Sequence, residues 1–175
     1  MNLKGEIMKT EYLLNQEVER VLSALTPTNQ LVVKVMLHTG LRVGDVLKLK
    51  KAELSNQFWI EEEKTKKRRR VGLTDELLHQ MKSASPGSEY VFASRLDFRK
   101  PRTRQAVWAD VKRASRAFRM KQNVAPHSFR KCYSVELLKK YGDLDRVKRA
   151  LNHSSPTVTM IYAMADKLLE VKKKK

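Results

Sequence analysis

The sequence predicts a mainly α-helical protein with one small antiparallel β-sheet. Three observations carry this. Apolar residues recur at three- and four-residue spacing along most of the chain. Only one region reads convincingly as paired strands, with aromatic and β-branched Phe58-Trp59-Ile60 followed by Arg70-Val71-Gly72-Leu73. Gly and Pro punctuate the helical stretches at short intervals, and no long Gly/Pro/Ser linker divides them.

Residues 10–25 read as a first helix. Leu13, Leu14, Val18, Val21, Leu22 and Leu25 share one face, and Thr10 stands in a capping position. Thr26-Pro27 ends it. Residues 29–39 form a strongly apolar second helix through Leu31, Val32, Val35 and Met36, closed by Gly40 as a C-cap. A short helix follows over 43–49. Phe58-Trp59-Ile60 and Arg70-Val71-Gly72-Leu73 are the two strands, with residues 64–69 as the turn and its flanks. Thr74-Asp75 caps a helix through Leu77, Leu78 and Met81. Ser85-Pro86-Gly87 is a turn, Tyr90-Val91-Phe92 is extended, and residues 95–102 are basic and irregular.

The remainder reads as helical. Residues 103–118 are periodic through Val107, Val111 and Ala114. Pro126 precedes a helix over 128–141 that Gly142 ends. Residues 143–151 are amphipathic, with Leu144, Val147 and Leu151 inward. Ser155-Pro156 opens a helix carrying Val158, Ile161 and Tyr162, and residues 166–171 form a terminal helix.

Length and composition bound the function. The 175 residues, 41% of them hydrophobic, suffice for one domain with a core. Lys and Arg number 37 against 19 acidic residues, a net +18 and a pI near 10.2, which points to a polyanionic partner. No apolar run is long enough to span a bilayer, so no membrane partner is expected. Cys132 stands alone and forms no internal disulfide, which suits the cytoplasm.

Four patches carry chemistry. In Thr39-Gly40-Leu41-Arg42-Val43-Gly44-Asp45, two glycines bracket an arginine between helices. Asp45 either holds that guanidinium from behind or caps the next helix. In Pro126-His127-Ser128-Phe129-Arg130, His127 and Arg130 are three apart on a helix start, where an anion is favoured. In Leu151-Asn152-His153-Ser154-Ser155-Pro156, His153 sits between helices. Tyr162 follows nine residues later. Each alone has an ordinary reading: a corner arginine, a surface His/Arg pair, a histidine near a helix end, a half-buried tyrosine.

In this order the patches resemble the tyrosine recombinase (phage integrase) catalytic domain. The likeness runs from Thr10 to Val171. It rests on Thr-Gly-Leu-Arg-x-Gly-Asp, Lys-Thr-x-Lys before Arg-x-Val-x-Leu, His-Ser-Phe-Arg-Lys, and Ala-Leu-Asn-His-Ser-Ser-Pro-Thr-Val-Thr-x-x-Tyr. Gly72, where proline is usual, and Asn152, where glycine is common, are mild departures.

The resemblance implies that fold and a DNA breaking-rejoining enzyme. Arg42 and Arg130 are then the arginines that clamp the scissile phosphate, and His127 bonds that phosphate and takes the tyrosine proton. His153 donates to a non-bridging oxygen, and Tyr162 is the nucleophile. The hairpin lysine acting as general acid is Lys64, with Lys66 and Lys67 as competitors. Lys66, Lys67, Arg68, Arg69 and Lys131 are expected to bind DNA.

No metal or other cofactor is expected, because arginines take the electrophilic role. The partners implied are double-stranded DNA and further copies of the chain, as a dimer or tetramer on DNA, through the C-terminal helix. The expected organisation is a single catalytic domain over 1–175, with core 10–165 and a helix and basic tail over 166–175. The family's N-terminal core-binding domain is expected to be absent. Two rival functions are a non-catalytic DNA-binding regulator of the same fold, which has no use for the tyrosine, and a type IB topoisomerase-like relaxase.

Overall fold

A computed structural model of the chain describes residues 10–151; the side chains of Leu144 and Lys148 are outside that description. Helix α1 (Asn15–Ala24) begins at Asn15 rather than Thr10. The Glu17 carboxylate accepts the Leu14 N–H at 2.8 Å and so fixes the helix start there. Residues 10–14 are not helical, yet Leu13 is fully buried. Helix α2 (Pro27–Thr39) has proline in its first turn, where the missing N–H costs nothing. Gly40 ends it in the left-handed conformation (φ 67°). Helix α3 (Val43–Leu47) is a single short turn beyond.

Strands β1 (Gln57–Glu61) and β2 (Arg68–Gly72) pair antiparallel, with Phe58 opposite Val71 and Ile60 opposite Arg69. Side chains alternate, so Phe58, Ile60, Arg69 and Val71 share the inner face. Trp59 faces outward, with the Arg68 guanidinium 5.5 Å over its ring. Helices α4 (Asp75–Ser83) and α5 (Arg104–Ala117) are capped by Thr74 and Thr103, whose hydroxyls accept from Leu77 and Ala106. Two short bridges, Lys50 with Tyr90 and Ala93 with Pro101, hold the chain between them.

Helix α6 (Pro126–Tyr141) starts at Pro126, not Ser128, because the Ser128 hydroxyl accepts the Ala125 N–H. Gly142 closes it at φ 67°, and α7 (Leu144–Leu151) follows, with Val147 and Leu151 buried. Helix α2 packs against α6, and the core lies between them and α1, α3, α4 and α5. Among the described residues, no helix is long and apolar enough to cross a membrane.

A polar hub ties α2 to α5. Asp110 accepts from the Thr26 N–H (2.9 Å), the Thr26 hydroxyl (2.8 Å) and Asn29 Nδ2 (2.7 Å), and pairs with Arg113. Burial alone would raise its carboxyl, but these hydrogen bonds outweigh it and hold the pKa at about 2. A depressed folded-state value gives stability that is present above the ordinary carboxylate range. That stability is lost as pH falls from about 4 towards about 2. Asp110→Asn should therefore cost about 2 kcal/mol at pH 7 in urea unfolding. The gap to wild type should narrow on acidification, and a gap independent of pH would contradict this account.

Candidate active site

Arg42 sits between α2 and α3, at the mouth of the site. Its backbone is extended and its side chain is 22% exposed. Nη1 meets Glu62 Oε2 at 2.5 Å. Among the described residues this is its only acceptor, so most of its five N–H groups stay available. Of the two roles open to Asp45, holding this guanidinium from behind or capping the next helix, the first does not hold. Asp45 is buried within α3, and its Oδ1 accepts the Glu63 N–H at 2.9 Å. Its other oxygen has no hydrogen-bond partner among the described residues. Burial pushes its carboxyl above the usual range.

Glu62 was not foreseen. Its carboxylate is wholly buried, bonded to Arg42 and Thr65 (3.0 Å) and 3.5 Å from Arg69. Burial opposes its charge, but the bonds from Arg42 and Thr65 hold the group below its ordinary pKa. Arg69 is 9% exposed and also donates to the Thr39 carbonyl. The structure therefore turns Arg69 inward, while Lys64, Lys66, Lys67 and Arg68 face solvent. The hairpin loop closes through the Lys66 N–H to the Glu62 carbonyl (2.9 Å) and the Glu62 N–H to the Lys67 carbonyl (3.0 Å). Lys66 adopts φ 55° to make that turn.

Arg130 is 1% exposed, the largest fully buried side chain. Its fork donates to the Gly40 carbonyl and the Leu151 carbonyl, both at 2.6 Å. It thus ties α6 to the end of α2 and to the residue two before His153. Burial, then the neighbouring Arg42, lowers its pKa to about 10, which leaves it charged at neutral pH. His127 lies in the first turn of α6 and is exposed.

Arg42, Lys64 and His127 converge on one cleft of about 400 Å³, which Gly44 and Asp45 also line. Arg130 is bonded to the backbone of the Gly40 corner that carries Arg42. Arg104, at the first position of α5, also lines the cleft and was missed; its place beside the capping Thr103 was the available signal. Lys131 is half-buried and donates to the Thr10 carbonyl. His153, Tyr162 and the expected helix over 166–171 lie outside the described residues.

Tyr133 is fixed within the fold. Its ring packs on Gly40 so closely that a Cβ there would lie 2.2 Å from a ring carbon. Cys132 is buried next to it, its thiol pushed up to about 12 by burial, and is unreactive on that ground.

Comparison with known proteins matches residues 11–168 to a family model described as "Phage integrase family". "Probable integrase/recombinase YoeC" of Bacillus subtilis (strain 168) is 28% identical over 86% of this chain and 85% of its own length. "Tyrosine recombinase XerA" of Thermococcus kodakarensis is 30% identical over 86% of this chain. The chain spans 56% of XerA and 45% of the integrase of Escherichia phage P2, about half of each. Among solved structures, a lambda integrase dimer bound to a COC′ core site aligns over 93% of this chain with TM-score 0.75 at 20% identity, covering 50% of that chain. The catalytic domain of bacteriophage HP1 integrase aligns over 89%, with TM-score 0.65 at 22% identity, covering 88% of that chain. These likenesses show the tyrosine recombinase catalytic-domain fold.

Proposed function

Because the chain belongs to the phage integrase family, we propose that it cleaves and rejoins double-stranded DNA at specific sites through a covalent 3′-phosphotyrosyl intermediate. The observation that carries this reading is the convergence of Arg42, Lys64 and His127 on one cleft, with Arg130 anchored behind it. Phosphoryl transfer asks the protein mainly for positioning and for positive charge around the phosphate. Arg42 supplies a part-exposed planar fork, and Arg130 adds a charge held rigid by two carbonyls.

Tyr162 attacks phosphorus, and a Tyr–O–P bond forms as the P–O5′ bond breaks. The phenol proton passes to His127, and Lys64 gives a proton to the departing 5′ oxygen. His153 donates to a non-bridging oxygen. The phosphodiester is conserved, so reversal needs no ATP. Lys66, Lys67 and Arg68, all solvent-facing, hold the DNA backbone. Arg69 and Lys131, with acceptors inside the protein, support the frame behind them. Two or four copies assemble on DNA, with residues 166–171 docking on a neighbour.

The test uses duplexes of randomised sequence carrying a single nick, so that a cleaved strand loses its short end and cannot rejoin. Adducts that survive SDS should be linked to protein at their 3′ end. The released strands should carry a free 5′-hydroxyl, labelled directly by polynucleotide kinase. Linkage to the 5′ end, or nicking without any adduct, would overturn the mechanism.

A further inference from the structure

Glu62 is a buried carboxylate to which the cleavage reading assigns no role. One oxygen, Oε2, accepts from Arg42 (2.5 Å) and from the Thr65 hydroxyl (3.0 Å). The other is 3.5 Å from Arg69. Thr65 is the immediate neighbour of Lys64. A single oxygen therefore joins the phosphate-clamping arginine to the loop that carries the lysine. The loop's backbone is closed on the same residue, through the Glu62 N–H and carbonyl.

Charge points the same way. Arg130 is repelled by both Arg42 and Arg69, and Glu62 is attractive to each of the three. With Arg130 buried and Arg69 nearly so behind the cleft, such a cluster needs an internal counter-anion before DNA arrives. Arg42 meets Glu62 through one nitrogen, which leaves its remaining N–H groups for a phosphate. Glu62 is thus placed to support Arg42 from behind, in the role that Asp45 does not fill.

We infer that Glu62 is a positioning residue that registers Lys64 against Arg42, so that the phosphate clamp and the proton donor act on the same scissile bond; this rests on the cleavage reading above. Thr65 transmits the register to the lysine.

The test compares the intact chain, Thr65→Val and Glu62→Gln in single-turnover cleavage of a nicked duplex selected as above. The scissile position carries either oxygen or a bridging 5′ sulfur. A thiolate leaves without needing a proton, because a thiol is far more acidic than an alcohol. Thr65→Val should slow cleavage of the oxygen substrate about tenfold and leave the sulfur substrate near wild type. Glu62→Gln should slow the oxygen substrate about a hundredfold and recover only in part on sulfur, since Arg42 is released as well. Wild-type rates on oxygen for both variants would overturn the inference. So would equal losses on the two substrates, which is what a defect of folding alone produces.

If wild type forms no adduct on either substrate, the cleavage reading has failed, and NMR of the arginine side chains still decides the role of Glu62. Arg42 should show slow guanidinium rotation in wild type and fast rotation in Glu62→Gln. Rotation unchanged by Glu62→Gln would sink the inference.

Discussion

Arg130→Lys should slow strand cleavage by about a thousandfold while keeping the formal charge. The guanidinium bridges the Gly40 and Leu151 carbonyls at 2.6 Å each, and a single ammonium cannot span both. One buried carbonyl is then left without a donor, at about 1–3 kcal/mol. That loss falls on the link between α6, the Arg42 corner and the segment leading to His153. Both effects should appear together, in the single-turnover rate at saturating DNA and in the urea midpoint. A lysine variant that cleaves within a few-fold of wild type would mean that Arg130 acts only as a charge.

Among the described glycines, Gly40→Ala should be the most destabilising. Two costs add there. The left-handed φ of 67° is unfavourable for any residue with a Cβ, by about 1–2 kcal/mol. The added carbon would also lie 2.2 and 2.4 Å from two ring carbons of Tyr133, and such overpacking costs about 1–3 kcal/mol. The expected total is about 2–5 kcal/mol by denaturant unfolding. Adding Tyr133→Ala to Gly40→Ala should remove the steric part and leave the backbone part. If Gly40→Ala is as stable as wild type, the corner does not have this geometry. Because Gly40 also offers its carbonyl to Arg130, cleavage should fall with stability.

The helices were legible because their apolar spacing is regular and their ends are marked. Gly40 and Gly142 both sit at φ 67° as C-caps, and Thr74 and Thr103 both cap with their hydroxyls. Helix α1 begins later than its apolar pattern suggests, because Leu13 and Leu14 continue that pattern into chain that is not helical. Burial needs only a lipophilic side chain in the right place, so periodicity overran the cap set by Glu17.

In the site, motif order pointed to Arg42, Lys64 and His127, which the fold brings to one cleft. The inward residues of the hairpin were harder, because a run of Glu, Lys and Arg looks like solvated surface. Strand parity carried the missing information: Arg69 is two from buried Val71, and Glu62 continues the row of Phe58 and Ile60. No local pattern announces that Glu62, rather than Asp45, meets Arg42, since the two acids are 17 residues apart (62 − 45) and only the folded corner separates their roles. Asp110 was equally silent, because its partners Thr26 and Asn29 lie on another helix and its cap.

In the proposed mechanism one tyrosine, Tyr162, carries the DNA. The chain has five tyrosines to choose among: Tyr12, Tyr90, Tyr133, Tyr141 and Tyr162. Trypsin digestion of the SDS-stable adduct, followed by mass spectrometry of the nucleotide-bearing peptide, locates the link directly. The mechanism requires a nucleoside 3′-phosphate on Tyr162 alone. The same modification on Tyr133, Tyr141 or any other residue would contradict it.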